Sequence, residues 1–317
     1  MTRRYSLITI LLFFFVYEAS AQIAQIPFLF SKNRMLIKVQ SNNSKPMLFI
    51  FDTGGTGTLM DSLSAVNAGI KKDEGRNVNV IGSGGAQDYA IASHQSISLP
   101  GNVKINDIEL VLMNLSSFSS AVKDTIHGII GYDVLSRYAT KIDFERQKIS
   151  LYTDIRSADT LGYVRIPFEF NKGIAIPRFP ITIKLDNNES FTGRVMFDSG
   201  ADLTLLVSAP YRNFHQFDRK IGKMTGSKGR GLNFETNDEN AVIKGMSFKG
   251  FSFGPMAIEL TKNDKAEPKD GYLGIIGMDI IKRFHVILDY ANKNIYLKPN
   301  ALYYQPFDTK LKSPTVK

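Results

Sequence analysis

One unit of this chain is written twice. Asp52-Thr53-Gly54 closes the apolar run Leu48-Phe49-Ile50-Phe51, and Asp198-Ser199-Gly200 closes Val195-Met196-Phe197. A Gly-Ile-Ile-Gly signal follows each, at residues 128–131 and 274–277, so that 79 positions separate Asp52 from Gly131 and Asp198 from Gly277. The copies are offset by 146 residues, and the offset holds beyond the motifs. It aligns residues 35–39 with 181–185, Asp143 with Asp289, and 149–151 with 295–297. The lead-in Ile26-Pro27-Phe28-Leu29-Phe30 matches Ile166-Pro167-Phe168-Glu169-Phe170 at an offset of 140. A period this long marks a duplicated domain, because solenoid units run to only about 20–50 residues. Such a chain carries one carboxylate per half on a strand-to-turn corner, and a site is expected where the halves meet.

Most segments between these landmarks read as strands. Apolar and polar residues alternate in residues 35–40, 78–81 and 181–185. Ser41-Asn42-Asn43-Ser44, Asp186-Asn187-Asn188 and Ala291-Asn292-Lys293-Asn294 carry the residue types of hairpin tips. Helical spacing is confined to short stretches at residues 62–68, 132–138 and 278–284. The Phe-rich run 248–253 alternates as one core strand would. The expected fold is mainly β with few short helices, in two lobes at residues 22–159 and 160–308. Residues 309–317 are expected to form a loose polar tail.

The first 21 residues read as a leader. Arg3-Arg4 precede an apolar stretch at residues 7–17, and Ala19-Ser20-Ala21 offers a small-residue cleavage site. That stretch is too short to span a bilayer comfortably, and no later one is longer. An exported protein, periplasmic or secreted, is expected, with no membrane span once the leader is removed. The absence of cysteine excludes disulfides, thiol catalysis and thiolate metal ligation. The formal charge of +9 is spread along the chain with no basic run to track a phosphate backbone, so no nucleic-acid partner is expected. His94, His127, His215 and His285 share no metal-ligand spacing, and neither a metal nor another cofactor is expected.

An Asp ending a buried apolar strand is costly unless it is paired. Thr53 and Ser199 bring hydroxyls that can reach the facing loop, while Gly54 and Gly200 permit close approach. If a pseudo-twofold axis joins the loops, Asp52 and Asp198 face each other and share one proton, since two adjacent carboxylates cannot both ionise cheaply. The ionised member can then activate a water, and the protonated member can donate to a carbonyl oxygen under attack.

Residues 198–206, Asp-Ser-Gly-Ala-Asp-Leu-Thr-Leu-Leu, resemble the Asp-Thr/Ser-Gly-Ala-Asp-x-Thr active-site stretch of retropepsins. Ile130-Gly131 and Ile276-Gly277 resemble the hydrophobic-hydrophobic-Gly strand that crosses behind the catalytic loop in pepsin-like and retroviral aspartic proteases. The likeness runs through nearly all of the chain after the leader, in two copies, and is greatest to two-lobed bacterial members. It implies a bilobal acid-protease fold, an Asp52–Asp198 catalytic pair braced by Thr53 and Ser199, and a peptide or protein substrate lying extended in the cleft. A monomer with an internal pseudo-dimer follows from two loops in one chain. The likeness also implies a hairpin flap, placed by position at residues 81–89 with a Gly84-Gly85 tip and Tyr89 as its aromatic, and with residues 227–234 as its counterpart. The first copy departs from the pattern in reading Asp-Thr-Gly-Gly-Thr.

That departure also resembles the Asp-x-Gly-Gly-Thr phosphate loop of sugar kinases and actin-like ATPases, in which glycine amides would cradle phosphate. A noncatalytic peptide- or glycan-binding protein on the acid-protease fold is the other alternative.

Overall fold

A computed structural model of the protein describes residues 22–42, 44–82, 85–171, 173–232, 235–262 and 271–311. The leader and the end of the tail lie outside the described residues. The molecule is mainly β, organised as sheets of eight, ten and six strands. No described helix is long and apolar enough to cross a membrane.

The six-stranded sheet joins the two sequence repeats. Its order is Gln22–Pro27, Lys148–Tyr152, Ala139–Asp143, Phe284–Asp289, Asn294–Pro299 and Val164–Pro167, three strands from each repeat. At its centre Lys141 pairs with Ile287, its own counterpart at the 146-residue offset, flanked by Thr140↔Leu288 and Ile142↔Val286. This self-complementary register is that of a twofold axis passing between two copies of one strand. The outer connections repeat as well. Phe28 N–H donates to Gln147 O and Phe168 N–H to Lys293 O, both at 3.0 Å.

Each larger sheet holds one Asp motif on a buried strand. Met47–Phe51 lies parallel to Gly128–Ile130, with Phe51 opposite Ile130. The strand at Ser190–Phe197 lies parallel to Tyr272–Ile276 in the same way, with Phe197 opposite Ile276. Met47–Phe51 is apolar on both faces, as is the end of the second strand, Val195-Met196-Phe197, as segments covered on both sides must be. Phe49, Phe179 and Phe197 are among the largest fully buried side chains.

Three hairpin tips turn on a residue in the left-handed conformation. Asn42 and Asn188 take left-handed φ values of 50° and 66°, and Lys293 does so beside Asn292 at 53°. Helices are short, and two differ from expectation in length. They cover Tyr132–Leu135 and Met278–Ile281, ending early because the chain must extend into the strands that begin at Ala139 and Phe284. A third covers Ser62–Asn67, capped by Asp61, whose carboxylate accepts from Ser64 N–H at 3.1 Å. Two more, Ser116–Val122 and Ala209–Phe214, were not marked by apolar spacing. The Phe-rich run is not one strand but a hairpin, Gly245–Phe248 and Phe251–Phe253, turning at Lys249-Gly250 with positive φ at both. Its three phenylalanines are buried.

Candidate functional site

The two Asp motifs meet. Each aspartate is positioned by the strand crossing behind it, Asp52 N–H donating to Ile130 O at 3.0 Å and Asp198 N–H to Ile276 O at 3.1 Å. The loops are tied by four reciprocal bonds among buried groups. Thr53 N–H donates to Ser199 Oγ at 3.0 Å, and Ser199 N–H donates to Thr53 Oγ1 at 2.9 Å. The Thr53 hydroxyl donates to Phe197 O at 2.8 Å, and the Ser199 hydroxyl donates to Phe51 O at 3.1 Å. Each hydroxyl therefore accepts from one loop and donates to the strand before it, leaving neither unsatisfied.

The glycines are required by space. A Cβ on Gly54 would overlap the Asp198 carboxyl group, and one on Gly200 would overlap that of Asp52. Behind the loops, a Cβ on Gly131 would strike Gly57 O, and one on Gly277 would strike Leu203 O. Ile130 and Ile276 are fully buried beside them.

The two carboxyl groups stand in hydrogen-bond contact, each half-buried with dense protein around its oxygens. Burial pushes both above the ordinary carboxylate range, and the charge of Asp52 pushes Asp198 further. The donors are unequal. Asp52 Oδ1 accepts from Gly54 N–H at 2.7 Å and Gly200 N–H at 3.0 Å, whereas Asp198 Oδ1 accepts from Gly200 N–H alone, at 2.8 Å. An arrangement of this kind favours one shared proton, with the negative charge on Asp52.

Groups around the pair were not singled out by the sequence. Asp133 and Asp279 follow Gly131 and Gly277 by two residues and return to their own loops. Asp133 accepts from Thr58 N–H at 3.1 Å and Thr58 Oγ1 at 2.8 Å, and Asp279 accepts from Thr204 Oγ1 at 3.4 Å. The 146-residue offset relates both pairs and could have revealed them. Tyr290 packs edge-on against Tyr132 and Phe168, and its buried hydroxyl has no described partner. Burial raises its pKa, and the charge of Asp52 adds to the rise. Arg34 is half-buried, and its charge bears on both aspartates.

Both hairpins suggested by the glycine-rich segments exist. Asn77–Gly82 pairs with Gly85–Leu99 through Gly82↔Gly85, while Gly84 itself lies outside the described residues. Tyr89 sits opposite Val78, half-buried against the outer apolar cluster of the first repeat. The counterpart pairs Thr225–Arg230 with Glu235–Ile243, and its Leu232 packs against that same cluster.

Three other aspartates named from the sequence have bonds of their own. Asp143 accepts from Arg146 N–H at 2.9 Å and Asp289 from Asn292 N–H at 3.1 Å, matching turns in the two repeats. Asp202 accepts from Asn33 Nδ2 at 2.7 Å. His285 lies between Asp143 and Glu145, its Nδ1 3.7 Å from one and its Nε2 3.5 Å from the other. Each carboxylate thus faces a different ring nitrogen, and Arg146 already pairs with Asp143 at 2.9 Å. That is the geometry of an ion-pair bridge more than of a shared metal.

Residues 37–134 match the family model of aspartyl proteases, a segment that runs from before Asp52 to just past Gly131. The match supports an aspartic protease family for this chain. No curated protein matches it.

Proposed function

We propose that the protein is an aspartic endopeptidase that hydrolyses peptide bonds with a water held between Asp52 and Asp198. The observation that carries this reading is the pair of carboxyls in contact, held by the reciprocal Thr53–Ser199 bonds. Asp52, with two backbone donors, is the ionised member and takes a proton from the water as it attacks the carbonyl carbon. Asp198 gives its proton to the carbonyl oxygen, which avoids building an oxyanion. At this point Asp52 carries the proton and Asp198 is ionised. Asp52 returns its proton to the departing amine nitrogen, and the C–N bond breaks as Asp198 takes back the proton from the tetrahedral hydroxyl.

The fold that fits this chemistry is the bilobal pepsin/retropepsin-like one, with lobes at residues 22–159 and 160–308. The two glycine-turned hairpins act as flaps over an extended peptide. One chain supplies both aspartates, so a monomer suffices, and the leader directs it out of the cytoplasm. The phosphate-loop alternative is not favoured. Gly54 N–H is bonded to the Asp52 carboxylate at 2.7 Å and Gly55 N–H to Asp52 O at 3.4 Å, so these amides are turned inward.

The test is cleavage of a denatured protein or a peptide library by the chain lacking its leader, between acid and neutral pH. Asp52→Asn and Asp198→Asn are each expected to abolish cleavage, as is a statine-type inhibitor. Cleavage that persists in both variants overturns the assignment, and binding of peptides without turnover would favour the noncatalytic reading.

A further inference from the structure

We infer that Arg34 forms a subsite beside the aspartate pair for a carboxylate on the peptide, and so that the preferred substrates are acidic close to the bond cleaved. This rests on the peptidase reading above and adds a substrate class to it.

The position of Arg34 is fixed by the fold. It opens the strand Arg34–Ser41 directly after a tight turn at Lys32-Asn33, where φ is 47° and 54°, and it pairs with Ser31 across that turn. The turn is anchored on the opposite repeat. Asn33 Nδ2 donates to Asp202 Oδ1 at 2.7 Å and to Asp279 Oδ1 at 3.0 Å, and Lys282 Nζ donates to Asn33 Oδ1 at 3.0 Å. Asp202 is on the loop that carries Asp198, so Arg34 stands one residue from a contact with the site's own loop.

Its guanidinium is not closed into an ion pair. Among the described residues Arg34 forms no ion pair, and its described side-chain bond is Nη1 to the adjacent Asn33 O at 3.3 Å. The carboxylates nearest in the network are engaged elsewhere, Asp279 by Lys282 at 2.7 Å as well as by Asn33, and Asp202 by Asn33. Leu36 pairs with Ile50, which sets Arg34 level with Asp52, and a half-buried guanidinium with one described side-chain bond keeps donors for a ligand to complete. The guanidinium fork offers parallel N–H donors matched to a carboxylate. In the other repeat the strand register puts Ile176 at the equivalent position, since Arg178 pairs with Met196 as Leu36 pairs with Ile50, so the cation stands on one side of the pair alone. This asymmetry gives a bound peptide a direction. The formal charge of +9 adds a long-range attraction for acidic chains.

A cation that only tuned the protonation of the aspartates would act alike on every peptide, whereas a subsite discriminates among them. The test compares kcat and KM for matched peptides carrying Glu or isosteric Gln beside the cleaved bond, each with a free or amidated C-terminus. The unaltered protein is expected to prefer Glu by about tenfold, the lower range for one charge-assisted hydrogen bond, mainly through KM. Arg34→Gln is expected to reduce that ratio to about twofold or less, and Arg34→Glu to favour a Lys peptide over the Glu peptide. Loss of the preference on amidation would assign the same subsite to a terminal carboxylate. No preference in the unaltered protein, or an equal loss on all peptides in Arg34→Gln with the ratio intact, overturns the inference. Binding of a statine-type inhibitor, followed by fluorescence, reports the peptidase reading separately. Far-UV circular dichroism checks that each variant is folded.

Discussion

Asp133 and Asp279 occupy the same place in the two repeats and serve different ends. Asp133 turns inward, closing its own loop with two bonds to Thr58. Asp279 keeps one long bond to Thr204 and gives its other oxygen to Lys282 and to Asn33, a residue of the opposite repeat. Burial is the largest influence on both and acts upward. In Asp133 it prevails and the pKa is raised, whereas in Asp279 the bond and charge of Lys282, with Asn33 and Thr204, outweigh it and the pKa is lowered. Of two equivalent positions in the sequence repeats, one is a local brace and the other a tether between halves. The inner loops are alike in their bonds because each holds the other.

The largest effects test whether the inner loops are equivalent. Gly54→Ala and Gly200→Ala each drive a methyl group into the facing aspartate, and each is expected to lower kcat/KM by about 100-fold or more, the scale of an ångström misplacement. A variant that keeps full activity would break the symmetry. Next come the hydroxyls. Thr53→Val and Ser199→Ala each leave a buried N–H without its acceptor and are expected to cost about 1–3 kcal/mol in urea unfolding, while Ser199→Thr restores the bonds of the first repeat and costs far less. The helix caps sharpen the comparison outside the loops. Asp61→Ala in one repeat and Ser208→Ala in the other should each cost about 1 kcal/mol, measured the same way.

The smallest effect is a difference of slope. A carboxyl with a raised folded pKa contributes stability that is full below the unfolded value of 3.8 and lost as pH rises through the folded one. Asp133→Asn should therefore gain on the unaltered protein as pH climbs from about that point. A lowered pKa gives the opposite sign, its stability present above 3.8 and lost as pH falls through the folded value. Asp279→Asn should be most harmful near neutrality, with its deficit closing in acid. Thermal melts across pH read both, and parallel slopes would refute the contrast.

The paired loops were legible in the sequence because close approach of two backbones leaves few residue choices. Only glycine fits at 54, 131, 200 and 277, and only a small hydroxyl fits at 53 and 199. The central pairing joins Lys141 with Ile287, residues that the repeat relates, but the strand register sets Leu36 level with Arg178, four residues off the alignment of 35–39 with 181–185, because the second hairpin is longer. The helix Ser116–Val122 escaped notice because its serines carry no apolar stripe, and Ala209–Phe214 because its start signal, Ser208 with Pro210, was not read. Arg34 was out of reach for another reason. Its setting depends on Asn33 touching residues 169 and 246 positions away, and Ile176 at the equivalent place removes any echo from the repeat.

The reciprocal bonds of Thr53 and Ser199 span 146 residues, and they bear on the moment at which the site comes into being. A chain emerging from the ribosome presents Asp52 early, but its loop finds no brace until Ser199 has followed. The strand behind the second loop, at Tyr272–Ile276, comes later still. Contacts this distant along the chain form late and slowly. On the peptidase reading, the nascent protein therefore passes most of its synthesis without a completed site, with timing built into the order of its residues.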